Sequence, residues 1–203
     1  GLGDVYKRQR QRFDRFILMI YVIDHKDSFT YNVVHQFSLF DNVECDDYEK
    51  LNLNKLKKAS TIIFSPGPGN PTNYPLTSKI YRSFKGKKKI IGICLGFQQI
   101  LFCEGAKIIE QKKIYHGYQS SVRVVSDNSI FGKGKKFKVG RYHSLKLKEP
   151  FKARNFEITM RCMETNTAMS FENKKDNIYG FQFHPESFLT NNGKLLIKKI
   201  LSY

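Results

Sequence analysis

The chain has 203 residues, a formal net charge of +17 and an apolar fraction of 40%. That length suffices for one well-cored α/β domain and is short for two. No apolar run approaches the roughly 18 to 20 residues of a membrane span, so we expect a soluble protein with no membrane partner. The basic residues are dispersed and lack an RNA-binding or helix-turn-helix signature, so we expect no specific nucleic-acid partner. Strong, salt-dependent binding to unrelated duplexes would favour that weaker alternative.

The cysteines indicate neither a metal site nor a disulfide framework. No C-x-x-C pair and no clustered histidine accompanies any of the four, which are Cys45, Cys94, Cys103 and Cys162. We therefore expect no metal and a reducing, cytoplasmic setting.

The first residues differ from the rest of the chain. Residues 1–16 carry five basic and two acidic side chains without apolar periodicity. We expect a disordered or non-native tail there and one folded domain over residues 17–203. The tail holds no apolar segment before a small-residue cleavage site, so no signal peptide is expected.

The first half of the chain alternates between predicted strands and helices. The continuous apolar run Phe16–Ile23 predicts a central parallel strand, and further strands are predicted over 43–48, 61–64 and 89–93. Asp27 or Ser28 can cap the first helix, which repeats apolar residues at helical spacing at Phe29, Val33, Phe37 and Phe40. Further helices are predicted over 51–58, from Pro75 with Leu76, Ile80 and Phe84 on one face, and over 95–104 before Gly105.

The second half has shorter, alternating segments. They predict an antiparallel extension or added edge strands over 121–125, 137–139, 156–162, 167–171 and 178–183. A closing helix is predicted over 190–201, with an inward face of Leu195, Leu196, Ile197, Ile200 and Leu201. The predicted fold class is therefore α/β, a doubly wound, mostly parallel open sheet of the flavodoxin-like kind with a small antiparallel extension. Ligands bind such sheets at the carboxyl ends of the strands.

One cysteine lies in a nucleophile-elbow pattern. Residues 92–96 read Gly-Ile-Cys-Leu-Gly, and the two glycines allow a sharp strand-to-helix turn that exposes the Cys94 side chain. The positive end of the following helix stabilises a thiolate, and the Leu95 amide points to where an oxyanion would form. The alternative is an inert, buried cysteine at the end of an apolar strand.

A Pro/Gly-rich loop follows the third predicted strand. Its residues, Ser65–Pro71, form a rigid segment in which backbone amides can approach a ligand closely. Gly67 is the best candidate for a second oxyanion donor. A plain tight turn is the alternative.

The segment His184-Pro185-Glu186 supplies a base and a carboxylate at the end of another apolar strand. A cysteine nucleophile needs a base, and a carboxylate can fix the tautomer of that base. A surface histidine beside a chance glutamate is the alternative. The other histidines have weaker claims, and they are His25, His35, His116 and His143.

Five motifs in this order resemble the class I (triad) glutamine amidotransferases, from about Ile17 to Leu201. They are Ser65-Pro-Gly-Pro-Gly69, Gly92-Ile-Cys-Leu-Gly96, His116-Gly117, Arg141-Tyr-His-Ser-Leu145 and Gly180-Phe-Gln-Phe-His-Pro-Glu-Ser187. Within the family the chain is most similar to the small subunits of anthranilate synthase and aminodeoxychorismate synthase.

The resemblance implies a role for each matching residue. Cys94 would be the nucleophile, with His184 and Glu186 completing the triad. Gly67 and Leu95 would supply the oxyanion amides, and the residues that bind the substrate would be Gly67, Pro68, Gly69, Gln98, Ser144 and Leu145. The substrate would be L-glutamine, no cofactor would be needed, and ammonia would pass to a chorismate-binding synthase subunit (component I) in a heteromer.

The chain departs from the family pattern at two positions. Phe97 replaces the usual histidine of Cys-Leu-Gly-His-Gln, and Tyr118-Gln119 replaces the commoner Lys-Thr or Lys-Val. Since that histidine is outside the triad, we expect altered packing or partner contact rather than altered chemistry. A catalytically silent regulatory subunit on the same scaffold is the alternative function. The tryptophan and folate pathways both remain open, with anthranilate slightly favoured.

Overall fold

The computed structural model describes residues 19–203. The expected tail over residues 1–16 lies outside the described residues, as does the start of the first predicted strand. The strands within the described range are β1 (Met19–Asp24), β2 (Asn42–Asp47), β3 (Thr61–Phe64), β4 (Lys89–Ile93), β5 (Ile108–Glu110), β6 (Tyr118–Val124), β7 (Lys136–Arg141), β8 (Leu145–Leu147), β9 (Glu157–Cys162), β10 (Ala168–Asn173) and β11 (Ile178–Phe181). The helices are α1 (Thr30–Ser38), α2 (Leu53–Lys58), α3 (Pro75–Phe84), α4 (Leu95–Cys103) and α5 (Gly193–Ser202).

Within residues 19–203, nine strands form one mixed sheet in the order β2-β1-β3-β4-β11-β10-β9-β6-β7. The strands from β2 to β11 run parallel, and those from β11 to β7 alternate in direction. A separate antiparallel pair joins β5 to β8. Because β3, β4 and β11 are parallel neighbours, the segments that follow their carboxyl ends meet at one rim of the sheet.

Helices cover both faces of the sheet, which explains the continuous apolar runs of the central strands. One face packs against α1 and α5 through Val33, Phe37, Leu196, Ile197 and Ile200. The other packs against α2, α3 and α4 through Leu56, Ile80, Tyr81, Ile100 and Leu101. The doubly wound α/β fold is confirmed, and its antiparallel part is a four-strand continuation of the same sheet. No helix among residues 19–203 is long and apolar enough to cross a membrane.

Helix ends show where local signals worked and where they did not. Gly105, with φ +88°, ends α4 in a Schellman motif. The Gly105 amide donates to Phe102 O, and the Ala106 amide donates to Leu101 O. The predicted cap of α1 was wrong: Phe29 holds the cap position without a side-chain bond, although Asp27 Oδ1 accepts the Phe29 amide at 2.8 Å.

Two predicted inward residues are on the surface instead. Leu195 is 48% exposed and Leu76 is 36% exposed. The closing helix begins at Gly193 rather than at residue 190, and its buried positions are Gly193, Leu196, Ile197 and Ile200. These follow the 3.6-residue period, which leaves position 195 on the outer side.

Candidate active site

Cys94 occupies a strained turn between β4 and α4. Its backbone has φ 52° and ψ −101°, a conformation that costs a non-glycine residue about 1–3 kcal/mol. A methyl group at Gly92 would lie 2.4 Å from Gly96 O, and one at Gly96 would lie 2.2 Å from Phe64 O. The turn therefore closes only because both flanking residues lack a side chain. The first amides of α4, beginning with Leu95, have no acceptor within the helix and are available to an anion.

His184 and Glu186 meet beside this turn. The His184 Nδ1 lies 2.7 Å from Glu186 Oε1, and both side chains are almost completely buried. Because Nδ1 faces the carboxylate, Nε2 is the ring nitrogen available to Cys94. Nε2 has no hydrogen-bond partner among the described residues. Such an arrangement is typical of a catalytic nitrogen before substrate binds.

Opposing effects set the protonation of His184. Burial disfavours the imidazolium, but the Glu186 carboxylate and then the nearby Cys94 sulfur favour it. The carboxylate and the sulfur prevail and hold the pKa of His184 well above its ordinary value of 6.5. The site therefore favours a charged imidazole next to the sulfur, as a thiolate–imidazolium pair requires.

Aromatic rings enclose His184. The ring centroids of Phe29 and Tyr142 lie 5.2 Å and 5.0 Å from that of His184, and 4.7 Å from each other. The Tyr142 hydroxyl lies 3.0 Å from Ser187 Oγ, which fixes the ring. These contacts keep the imidazole 1% exposed and exclude water from the pair it forms with Glu186.

The Pro/Gly-rich loop brings Gly67 against the elbow. A methyl group at Gly67 would lie 2.5 Å from Leu95 Cδ2 and 2.6 Å from His25 Cβ, so only glycine fits. Gly67 thus packs against the side chain of Leu95, the other predicted oxyanion donor. Pro68 and Gly69 are exposed, with the Pro68 carbonyl accepting the Tyr74 hydroxyl at 2.9 Å.

His25, one of the histidines with a weaker claim to catalysis, contacts this loop through Ser65. The residue is fully buried, with Nε2 2.8 Å from Thr77 Oγ1 and Nδ1 3.2 Å from Ser65 Oγ. Burial lowers the pKa of His25 to about 4, against a smaller opposing effect from Ser65. A neutral histidine with both nitrogens engaged is a structural element of the loop.

Gln98 links the elbow to residues 144 and 145. Its Nε2 lies 3.1 Å from Gln182 Oε1 and 3.4 Å from Leu145 O. The Gln182 Nε2 in turn lies 3.9 Å from Cys94 Sγ. Gln98 therefore contacts Leu145 directly and is connected to Cys94 through Gln182. Ser144, next to Leu145 in the chain, is exposed.

A search against family models matches residues 21–202 to the description "Glutamine amidotransferase class-I". The chain belongs to this family. Among its curated relatives, anthranilate synthase component 2 of Lactococcus lactis is 40% identical over 187 residues, which are 91% of this chain and 94% of that protein. Anthranilate synthase component 2 of Helicobacter pylori is 34% identical over 92% of this chain and 97% of its own length.

The solved structure of another protein has the same fold as this chain. It is that of a putative GMP synthase subunit from Thermoplasma acidophilum, with a TM-score of 0.78, 22% identity and coverage of 92% of this chain and 93% of that one. At that identity the comparison supports the architecture alone.

Two features of this amidotransferase site are clarified by the structure. Phe97 is completely buried and packs on Phe171 at 5.2 Å between ring centroids, so its effect is on packing. Gln182 was missed by sequence reasoning, although a polar residue between Phe181 and Phe183 in a buried segment was the available signal. Among residues 19–203, no group of three or more His, Cys, Asp or Glu side chains could hold a metal ion.

Proposed function

We propose that this chain is a glutamine amidotransferase subunit that hydrolyses L-glutamine through a thioester on Cys94. The observation that carries the proposal is the His184–Glu186 pair beside the strained Cys94 turn. A buried carboxylate that orients a histidine next to a cysteine at a helix N-terminus is the arrangement of a thiol hydrolase. We also propose residues 17–203 as the domain that bears this activity.

The reaction follows from the roles of these groups. The Cys94 thiolate attacks the γ-carboxamide carbon, and the amides of Gly67 and Leu95 bind the oxyanion. The His184 imidazolium gives its proton to the departing nitrogen, so ammonia leaves and the γ-glutamyl thioester remains. Neutral His184 then takes a proton from water, which attacks the thioester and releases glutamate and the thiolate.

The proposed partner is a chorismate-using synthase subunit that receives the ammonia. Support comes from the anthranilate synthase relatives and from exposed aromatic side chains beside the site. Phe188, two residues after Glu186, is 86% exposed, and Tyr31, two residues after Phe29, is 74% exposed. Aromatic side chains exposed to this degree are typical of a surface that another protein covers. Of the two pathways, we propose anthranilate formation.

Substitution of the nucleophile tests the proposed function. With the synthase partner present, Cys94→Ser should lower glutamate release from glutamine by about a thousandfold or more, because a hydroxyl is not ionised by the same base. Synthesis from added ammonium salt should be unchanged, which controls for the partner. Glutamine turnover near that of the parent would reject the thiol mechanism. A parent protein without any turnover or thiol trapping would indicate the silent regulatory subunit.

A further inference from the structure

Arg141, at the end of β7, is a buried cation that has no carboxylate partner among the described residues. It is the largest fully buried side chain among residues 19–203, and within that range it forms no salt bridge. Its guanidinium carbon lies 3.4 Å from the centroid of the Tyr115 ring, and one terminal nitrogen has no hydrogen-bond partner in the described range. Burial of an unpaired charge is costly, so this position requires an explanation.

The bonds that Arg141 does make determine the tautomer of His143. Arg141 Nε lies 3.1 Å from His143 Nε2. Since a guanidinium only donates, Nε2 must be the unprotonated nitrogen and Nδ1 must carry the hydrogen. That hydrogen is donated to Leu145 O over 2.8 Å. Burial, followed by the charge of Arg141, lowers the pKa of His143 to about 3, so the ring stays neutral.

Other bonds fix the neighbouring carbonyl groups of this segment. Gln111 Nε2 lies 3.1 Å from His143 Nδ1, but with a hydrogen on Nδ1 it donates instead to His143 O at 2.6 Å. The Gln111 backbone amide donates to Ser144 O at 2.9 Å. Leu145 pairs with Glu110 in the register between β5 and β8, and hydrogen-bonded pairs lie one residue to either side. In an antiparallel pair this alternation turns the N–H and C=O of Leu145 away from β5 and towards Gln98. The carbonyl is then held by His143, which leaves the N–H side free.

We propose that Arg141 and His143 are positioning residues for glutamine binding: Arg141 fixes the His143 ring so that Nδ1–H locks the Leu145 carbonyl and presents the Ser144–Leu145 backbone to the substrate. This inference rests on the proposed function, because it assigns a purpose to the backbone segment that would hold the α-amino and carboxylate end of glutamine. It assigns no step at the sulfur to either residue. The effect should therefore appear in substrate binding rather than in turnover.

Two amide substitutions distinguish the roles of the two ring nitrogens of His143. His143→Asn places an amide nitrogen near the position of Nδ1 and keeps the donor to Leu145, whereas His143→Gln keeps an acceptor near Nε2 for Arg141 and loses that donor. We expect His143→Gln to raise the KM for glutamine about five- to tenfold with kcat within about twofold, the effect of one neutral hydrogen bond. His143→Asn should restore KM to within about twofold of the parent, although loss of the Arg141 contact should lower its thermal stability. Equal KM values in both variants and the parent would overturn the proposal.

Trapping of the thiol gives a readout that a purely structural role would not change. The chloroketone analogue of glutamine needs the substrate site to alkylate Cys94, whereas iodoacetamide does not. The ratio of the two alkylation rates should fall about five- to tenfold in His143→Gln and stay near the parent value in His143→Asn. A parallel fall in both variants would indicate general loss of structure and overturn the proposal. A parent protein that the chloroketone does not modify would instead contradict the proposed function.

The tautomer itself can be read in the parent protein, even if the variants fold poorly. Nitrogen NMR of histidine-labelled protein should show His143 neutral, with a protonated Nδ1 and an unprotonated Nε2. The signal that disappears in either variant identifies it. A proton on Nε2, or a charged ring, would overturn the assignment of Leu145 as the acceptor.

Discussion

At the scale of single residues, His184 is governed by a balance between desolvation and charge. The ring is 1% exposed, which alone would make it neutral, yet the Glu186 carboxylate 2.7 Å away favours the charged form, and the nearby Cys94 sulfur favours it further. His25 and His143 are equally buried but lack such a carboxylate, and burial lowers the pKa of each. The carboxylate, not burial, therefore distinguishes the proposed base from the structural histidines.

Removal of Glu186 should reverse the behaviour of His184. In the parent, the midpoint for loss of the imidazolium proton should lie above pH 6.5, and Glu186→Gln should lower it because the carboxylate is the largest cause that favours the charged ring. Cys94→Ala should lower it by a smaller amount, since the carboxylate is the larger favourable cause. NMR titration of the histidine rings measures the His184 midpoint in all three proteins. His25 serves as a control, because it should stay neutral down to about pH 4. A midpoint that Glu186→Gln leaves unchanged would contradict the assigned balance.

At the scale of elements, Phe97 of α4 shows how a departure from the family pattern is absorbed. Its ring lies in the core between the sheet and α4, whereas Cys94 belongs to the core on the opposite face. Phe97→His would bury an imidazole among apolar groups and remove aromatic contacts with Phe171. We expect a loss of about 2–4 kcal/mol in the free energy of unfolding, with kcat for glutamine within about twofold of the parent.

Denaturant unfolding and steady-state kinetics check this prediction, with Phe97→Leu as the matched apolar control. Leucine should cost less stability than histidine, because it leaves a smaller cavity and no unsatisfied nitrogen. A histidine variant as stable as the parent would show that the site offers a polar partner. A large fall in kcat without loss of stability would place residue 97 in the chemistry.

The elements that the sequence predicts well are those with a strong local signal. The runs over Thr61–Phe64 and Lys89–Ile93 are strands because burial on both faces requires continuous apolar side chains. β5 and β8 were not predicted, since each has only three residues, of which only Leu147 is buried, and their pairing links distant segments. Leu195 was assigned to the wrong face because neighbouring leucines make the local helical phase ambiguous.

The residues of the site also differ in how well the sequence predicts them. Cys94, Gly67 and His184 follow strand ends, so the rule for parallel sheets brings them to one rim. Arg141 and Gln182 were given no role from the sequence, because these polar residue types are usually exposed, whereas both are completely buried. The contact between Gln182 and Cys94 joins residues 88 positions apart, a separation that no local sequence pattern reveals.

At the scale of the whole molecule, the buried histidines make stability depend on pH in opposite directions. The raised pKa of His184 stabilises the fold below pH 6.5, and that contribution is lost as the pH rises through the folded-state value. The lowered pKa of His25 works the other way: its contribution is present above pH 6.5 and is lost as the pH falls towards about 4. Greatest stability is therefore expected near neutral pH.

The contribution of His25 can be isolated. Between pH 6.5 and about 4, the unfolded chain protonates this residue while the folded protein does not, which should cost about 3 kcal/mol of stability. Denaturant unfolding across this range should show a shallower pH dependence for His25→Gln than for the parent. Identical slopes in the two proteins would mean that His25 is protonated without penalty in the fold.

Capture of the covalent intermediate is the sharpest test of the proposed thiol mechanism. Parent protein with its synthase partner is mixed with glutamine, quenched in acid during turnover and digested, and the peptides are analysed by mass spectrometry. We predict a γ-glutamyl adduct on the peptide that carries Cys94, absent from Cys94→Ser and from unreacted protein. Continued release of ammonia from glutamine with no adduct on Cys94, or with the adduct on another cysteine, would show that the reaction does not pass through a Cys94 thioester.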